Sequence, residues 1–407
     1  MTSPFDLNLR HLEAASAVHA LGGISAAAAA INLSQPALTQ AMTKLEARIG
    51  RRLFDRHPGG ATATIAGRIL AGRVDRAVAL LTEAARRARR SARLPPLGPV
   101  ARLLAMTQLR AVTAVDRRGS YGAAATETGL SQPALHNAVR ELESILGVTL
   151  LAREGRAVRA TPAAQRFLRP TRLAIAELQS SLDEIEALAS SGAGRIVVGA
   201  MPLVRAVLLP ATLATFTQAF PRARVSVVEG PYLALLAGLR NGEIDCLVGA
   251  LREPQPAPDI VQTFLFDDHL YVVGRADHPL AAEGASLAQL AQFPWVMASP
   301  GTPLRTRWLA MFETGAAPPP DVAVECSSVI AIRGLLLTGG WLTVLSADQF
   351  RIEEQAGLLT RIGGAISGSK RRIGLTTRSD WQPTSLQRAF IEGLNRQVET
   401  HRHSENQ

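Results

Sequence analysis

A chain of 407 residues exceeds what one hydrophobic core can hold and is expected to form two to four domains. Its 47% hydrophobic and 19% charged residues exclude wholesale disorder, and no uncharged apolar run approaches the roughly 18 residues that span a bilayer. The net charge of +10 sits in one half: residues 1–190 hold 25 Lys+Arg against 15 Asp+Glu, whereas residues 191–407 hold 19 of each.

A basic half joined to a neutral half points to a polyanion-binding part and a second part with a different task. The start of the chain lacks the basic-then-apolar order of a signal peptide, so a cytoplasmic location and no membrane partner are expected. The two cysteines, Cys246 and Cys326, lie in apolar segments as expected buried free thiols, without the spacing of a metal site. No cofactor is expected.

Along the chain, apolar residues recur at helical spacing from Leu9 to Leu21 and Gly22-Gly23 stop that helix. Ser25 is expected to cap a short alanine-rich helix through Ile31. Ser34 caps a third, with Pro36 in its first turn, where no intrahelical N–H bond is lost. On this third helix Leu38, Ala41, Met42 and Leu45 form a buried stripe. Gln35, Thr39, Gln40 and Thr43 face outward, with Lys44 at the edge.

The same design returns 97 residues later: from Leu12 to Thr64, 22 of 53 positions are identical to Leu109 to Thr161. Ser34-Gln35-Pro36-Ala37-Leu38 recurs as Ser131-Gln132-Pro133-Ala134-Leu135, and the second copy's outward residues are His136, Asn137 and Arg140. Two helices followed by one that presents short polar side chains is the layout of a helix-turn-helix, whose second helix reads base edges in the major groove of double-stranded DNA. After each copy a basic, small-residue segment reads as a two-stranded wing. In the second, Arg153, Arg156 and Arg159 alternate, a spacing expected to bring all three near phosphates. The first keeps Arg56 and has Pro58-Gly59-Gly60 instead.

Each copy leads into a long helix, at 65–93 and 162–190, with apolar residues at the three-four spacing of a coiled-coil seam. The expected bounds are 7–64 and 106–161 for the two winged modules, 94–105 for a Pro-rich hinge, and Ser190 to Gly194 for a linker. From Arg195 the period changes to strand, helix, strand, the mark of an open parallel sheet. The expected domain is a two-lobed α/β unit at 195–400, with lobe I at about 195–256 and 366–400 and lobe II at about 260–362. Lys370-Arg371-Arg372 reads as a solvated loop.

An enzyme is not indicated. Of the eight histidines, His11, His19, His57 and His136 lie in the basic half and His401 and His403 in a polar tail, while His269 and His278 have no triad or metal spacing. No phosphate-binding glycine motif occurs.

The first three helices with Ser-Gln-Pro-Ala-Leu, the downstream Leu-Glu, Gly, Leu and Arg, and the Thr-x-Ala end of the wing resemble the DNA-binding domain of LysR-type transcriptional regulators. Residues 195–400 resemble that family's effector domain, similar in fold to periplasmic binding proteins. Asp277-His278-Pro279-Leu280-Ala281, Phe293-Pro294-Trp295-Val296 and Pro300-Gly301-Thr302-Pro303-Leu304-Arg305 are similar to the subgroup of galactose-binding-protein and protocatechuate-pathway regulators. The expected fold is therefore multidomain: two all-α winged helix-turn-helix modules with long linker helices, then a two-lobed α/β domain. Family members ordinarily carry one module, and this chain has two.

The resemblance implies DNA contacts from Ser34, Gln35, Pro36, Thr39, Gln40, Thr43, Lys44 and Arg56, and from Ser131, Gln132, Pro133, His136, Asn137, Arg140, Arg153, Arg156 and Arg159. It implies an effector cleft between the lobes at Met201, Pro202, Leu203, Val248, Gly249, Ser299, Pro300, Gly301, Thr302, Arg305, Ser327 and Ser328, for a sugar or an aromatic or other organic acid. The implied partners are a homo-oligomer, dimer or tetramer, and RNA polymerase. Competing readings are an oxyanion-responsive regulator and a solute-binding protein of transport.

Overall fold

Each repeat in the basic half folds into three helices and a hairpin, for the same local reasons. The computed structural model describes residues 2–57, 60–190, 192–281, 284–313 and 317–405. A single turn, Pro4–Asp6, precedes α1 (Leu9–Leu21), which ends where Gly22 takes a left-handed φ of 68°. Then come α2 (Ile24–Ala30), α3 (Gln35–Ile49), the antiparallel strands β1 (Phe54–His57) and β2 (Gly60–Ala63), and α4 (Ile65–Ser91). The second series has α5 (Val100–Leu103), α6 (Met106–Arg118), α7 (Tyr121–Thr128), α8 (Gln132–Leu146), β3 (Leu151–Glu154), β4 (Ala157–Ala160) and α9 (Pro162–Ala187).

Residues 97 apart do the same work. The Ser34 and Ser131 hydroxyls accept from the Ala37 and Ala134 amides and cap the third helix of each set. One carboxylate oxygen of Glu46 accepts from the Leu53 and Phe54 amides at 2.7 and 3.2 Å, and Glu143 holds Leu150 and Leu151 at 2.7 and 3.1 Å. This fixes the entry to each hairpin. The Ala61 amide donates to Gly22 O and the Val158 amide to Gly119 O, tying each hairpin to the end of its first helix.

Two expectations change here. Ser25 lies inside α2 and does not cap it, since the cap position is Gly23, which offers no side chain; Ser120 does the capping in the second copy. The hinge also contains a helical turn, α5, which packs against α1 and α4.

The two long helices run side by side, and one apolar core extends unbroken from Leu7 through both units to Ile185. Ile69 shares a surface depression with Glu184 and Ala187, Arg73 pairs with Glu177 and Glu184, and Leu80 lies with Leu173 and Ala176. Rising numbers on α4 meet falling numbers on α9, so the pair is antiparallel. Leu70, Val74, Ala77, Leu81, Ala84 and Ala88 supply the α4 seam.

In lobe I, β5 (Gly194–Ala200), β6 (Ala223–Val228) and β7 (Cys246–Ala250) are parallel, crossed over by α10 (Leu208–Ala219) and α11 (Tyr232–Arg240), and followed by β8 (Ile260–Asp268). Lobe II holds β9 (Leu270–Arg275), α12 (Leu287–Leu290), β10 (Trp295–Met297), α13 (Pro303–Glu313), β11 (Val322–Glu325), α14 (Val329–Leu336), β12 (Thr343–Ser346), α15 (Ala347–Gln355) and β13 (Leu359–Arg361). The chain returns through β14 (Arg371–Arg378) and α16 (Ser385–Glu405) to lobe I.

The lobe I sheet has the order β6-β5-β7-β14-β8 and is mixed, since β14 runs antiparallel to both its neighbours. The expected open parallel sheet holds for β5, β6 and β7 and is corrected where β14 joins. So is the lobe II boundary near residue 260, because β8 belongs to the lobe I sheet. The solvated-loop reading of Lys370-Arg371-Arg372 holds for Lys370, which is exposed ahead of β14, but Arg371 and Arg372 open that strand, and the three pair with Asp267, Asp268 and Glu253 respectively. Cys246 is buried, but Cys326 is only half-buried and its thiol lies 3.7 Å from Ser328 O.

Candidate nucleic-acid interface and effector cleft

On α3, burial of Leu38, Ala41, Met42 and Leu45 against the core turns Gln35, Gln40 and Thr43 to solvent, with Thr39 half-exposed. On α8, Leu135, Val139, Leu142 and Leu146 face inward and His136, Asn137 and Arg140 are exposed. Both rows begin at the capped first turn, where Ser34-Gln35-Pro36 and Ser131-Gln132-Pro133 are also exposed. The row on α8 has a support that the sequence does not advertise: the His136 ring stacks on Tyr121 of α7, centroids 3.8 Å apart and planes 12° from parallel. Burial first, then the Glu143 charge, raises the Tyr121 pKa, so its hydroxyl stays neutral.

Lys44 is exposed at the edge of the α3 row, as expected. It lines a shallow depression with Thr2, Asp6, Ala47 and Arg48 and, after burial itself, its charge depresses the His11 pKa. The second wing is rearranged. Its register pairs Arg153 with Val158 and Arg159 with Ala152, so these two arginines emerge from opposite faces of the hairpin and Arg156 sits at its turn. All three are exposed, and Arg159 has a loose partner in Glu154 at 3.8 Å. The Arg56 side chain and Pro58-Gly59 lie outside the described residues.

In the two-lobed part the implied cleft residues divide by depth. Leu203, Val248 and Gly249 are core, and a Cβ on Gly249 would meet Met201 Sδ at 2.4 Å. Met201 therefore roofs the β5 and β7 ends, leaving Met201 and Pro202 as the accessible pair. Beside Met201, Arg252 lies over the Tyr232 ring at 4.4 Å, and burial lowers its pKa.

In lobe II, Ser299 to Thr302 lead into α13 and Ser327-Ser328 into α14, beyond the carboxyl ends of the adjacent parallel strands β10 and β11. Thr302 Oγ1 donates to Ser299 O and accepts from the Arg305 amide, while Ser328 Oγ accepts from the Ala331 amide. The Arg305 guanidinium sits 4.6 Å from the Trp308 ring with its Nη1 buried and without a hydrogen-bond partner. An opening of about 590 Å³ between Arg252, Phe264, Lys370 and Arg371 of lobe I and Pro303 and Arg307 of lobe II adds a charged lining the sequence did not suggest, in which Asp267 pairs with Lys370 and Glu253 with Arg372. Among the described residues no cluster of His, Cys, Asp or Glu could hold a metal ion.

The model for the LysR substrate binding domain matches residues 189–399, and that for the bacterial regulatory helix-turn-helix protein, lysR family, matches at residues 9–68 and again at 106–165. The chain belongs to the LysR family. It is 32% identical over 377 residues to the HTH-type transcriptional regulator GalR of Pseudomonas putida, spanning 91% of this chain and 92% of that one. To the HTH-type transcriptional regulator PcaQ of Agrobacterium fabrum it is 28% identical over 277 residues, 68% of this chain and 89% of that one. A solved full-length OxyR variant from Pseudomonas aeruginosa superposes with a TM-score of 0.53 at 25% identity, covering 72% of this chain and 94% of that one.

Membership of the LysR family makes the chain a DNA-binding transcription regulator with an effector-binding domain, and not an enzyme. LysR regulators bind DNA and effector ligands and form oligomers. Among the described residues no helix is long and apolar enough to cross a membrane.

Proposed function

We propose that this regulator carries two winged helix-turn-helix modules, at 7–64 and 106–161, and that both read DNA. The supporting observation is that each repeat exposes a polar row on a capped third helix beside a hairpin, with the same hydrogen bonds at positions 97 apart. Thr39, Gln40 and Thr43 serve the first module, and His136, Asn137 and Arg140 the second. The exposed wing arginines Arg153, Arg156 and Arg159 supply phosphate contacts to the second module from both faces and the tip. Lys44, exposed at the edge of the α3 row, serves as a flanking contact of the first module.

For the sensor, the reading that the side chains favour is a ligand bearing a carboxylate. The unpartnered Arg305 Nη1, the hydroxyls of Ser299, Ser327 and Ser328, and two helix N-termini can all donate to an anion, with the Thr302 hydroxyl proton held by Ser299 O. Similarity to GalR and PcaQ supports placing the domain in that subgroup, and the donor set favours an organic acid over a sugar. A thiol-oxidation reading has less support: Cys246 is fully buried with its pKa raised by burial, and Cys326 lies in the other lobe.

Titration calorimetry of the full chain with benzoate-type acids, sugars, and molybdate or sulfate tests the assignment. The carboxylic acids should bind, and Arg305→Gln should weaken them about tenfold, the worth of one charge-assisted hydrogen bond. Binding of molybdate instead would establish the oxyanion alternative.

A further inference from the structure

We propose that one chain is a complete DNA-reading unit, its two modules holding two unlike half-sites of one duplex without a second chain. This rests on the reading that both modules bind DNA, and it adds how many chains that takes and what sequence they prefer.

The contacts between the repeats are reciprocal. The Pro4–Asp6 turn of the first repeat packs against α6 and α9 of the second, while α5, which occupies the equivalent place 97 residues on, packs against α1 and α4 of the first. Single side chains obey the same exchange. Glu13 on α1 pairs with Arg102 at 3.2 Å, and the residues 97 further on from Glu13 and back from Arg102 are Arg110 and Phe5. Those two also meet, with the guanidinium 5.7 Å from the ring. Mutual embrace by corresponding elements is the signature of a two-fold axis, here formed within one polypeptide.

The seam that would pair two chains is already filled. α4 and α9 bury their apolar stripes against each other, and Arg89 at the far end of α4 donates to Leu146 O at 2.7 Å, tying it to the third helix of the opposite module. The modules therefore sit at opposite ends of a helix pair. With 27 residues, α4 is about 40 Å long, on the scale of the ~34 Å turn that separates the half-sites of helix-turn-helix dimers. The symmetry stops at the reading surface. Thr39, Gln40 and Thr43 face His136, Asn137 and Arg140 across the axis, and only the second row can offer a bidentate guanidinium to guanine.

Selection of the full chain on a randomised duplex pool, followed by mass photometry of the complex with the winning duplex, tests this. The expected result is one chain bound per minimal duplex, two half-sites of different sequence, and loss of at least about tenfold in affinity on inserting about five base pairs, half a turn, between them. Exchanging Thr39→His, Gln40→Asn and Thr43→Arg on the exposed face of α3 should convert the preferred site to a palindrome. Two chains per minimal duplex, or a palindrome selected by the unmodified chain, would overturn the inference while leaving both modules as DNA readers. Failure to enrich any sequence would instead overturn the DNA-reading assignment beneath it.

Discussion

Arg73 is where the reader and the sensor are locked together, and its removal has a calculable consequence. Its Nη1 lies 2.8 Å from Glu177 and its Nε 3.3 Å from Glu184, both on α9, while its Nη2 donates to Gln382 O in lobe I at 3.0 Å. The three side chains are 8%, 11% and 18% exposed, so the ions are largely desolvated. Breaking such a pair by deleting one partner costs roughly 3–5 kcal/mol, because the other charge stays buried. Arg76 remains 3.1 Å from Glu177 and Glu184 is partly wet, which puts Arg73→Met near the lower end, about 3 kcal/mol.

Glu177→Met should cost a similar amount, but the double variant should cost far less than the sum, leaving a coupling of about 1–3 kcal/mol. Urea titrations of the four proteins, followed by far-ultraviolet circular dichroism, measure all terms. Additivity within about 0.5 kcal/mol would refute the premise that these residues form one buried network.

Asp183, buried beside Asp245 and Glu186, has its carboxyl lifted by burial from 3.8 to about 6, despite a Gln179 hydrogen bond and Arg195 at 3.4 Å. A raised acid favours the folded state below its unfolded pKa and loses that contribution as pH rises to about 6, a swing on the order of 3 kcal/mol. Asp183→Asn should therefore stabilise the protein at pH values above that range and change little near pH 4; equal gains at both in urea unfolding would contradict the assignment. Arg140→Ala should cost about 1–3 kcal/mol and relax one base pair, visible as a position-specific change in selected sequences. Arg156→Ala should weaken binding to cognate and random duplexes alike and flatten the log-affinity against log-salt slope by about one, and a base-specific change would reassign it.

The repeat was legible because its determinants are local. Ser34 and Ser131 cap by reaching three residues ahead, Gly50 and Gly147 accept left-handed φ values of 76° and 66°, and Glu46 and Glu143 each hold amides seven and eight residues on. Such signals survive in one sequence without knowledge of the fold. What escaped was nonlocal. Insertion of β14 between β7 and β8 follows from strand order, which no period in the sequence encodes. Arg371 looks solvated until Asp268, about a hundred residues away, is brought beside it. Val248 and Gly249 fit the expected cleft by position, yet the fold of Met201 over Gly249 removes them from it.

Lobe I grips both long helices, and that grip decides how a ligand signal can reach DNA. Arg73 and Arg76 of α4 donate to Gln382 O and Asp380 O, while on α9 Arg172 pairs with Glu243, and Arg169 with Asp259. Arg172 also pairs with Asp116 on α6, so one side chain spans sensor, linker and second module. With both helices held by lobe I, a change in how lobe I sits on the pair is a direct route by which a ligand can move the two modules together. Loosening the clamp on α4 alone should then reduce coupling without destroying either site. Arg76→Ala leaves the recognition rows and the effector-lobe hydroxyls untouched, so effector affinity and ligand-free DNA affinity should stay within about twofold. The factor by which effector changes DNA affinity should fall toward one, with effector affinity losing its dependence on DNA by the same factor. An unchanged factor, measured by titrating duplex with and without saturating effector, would show that the signal does not pass through the α4 contact.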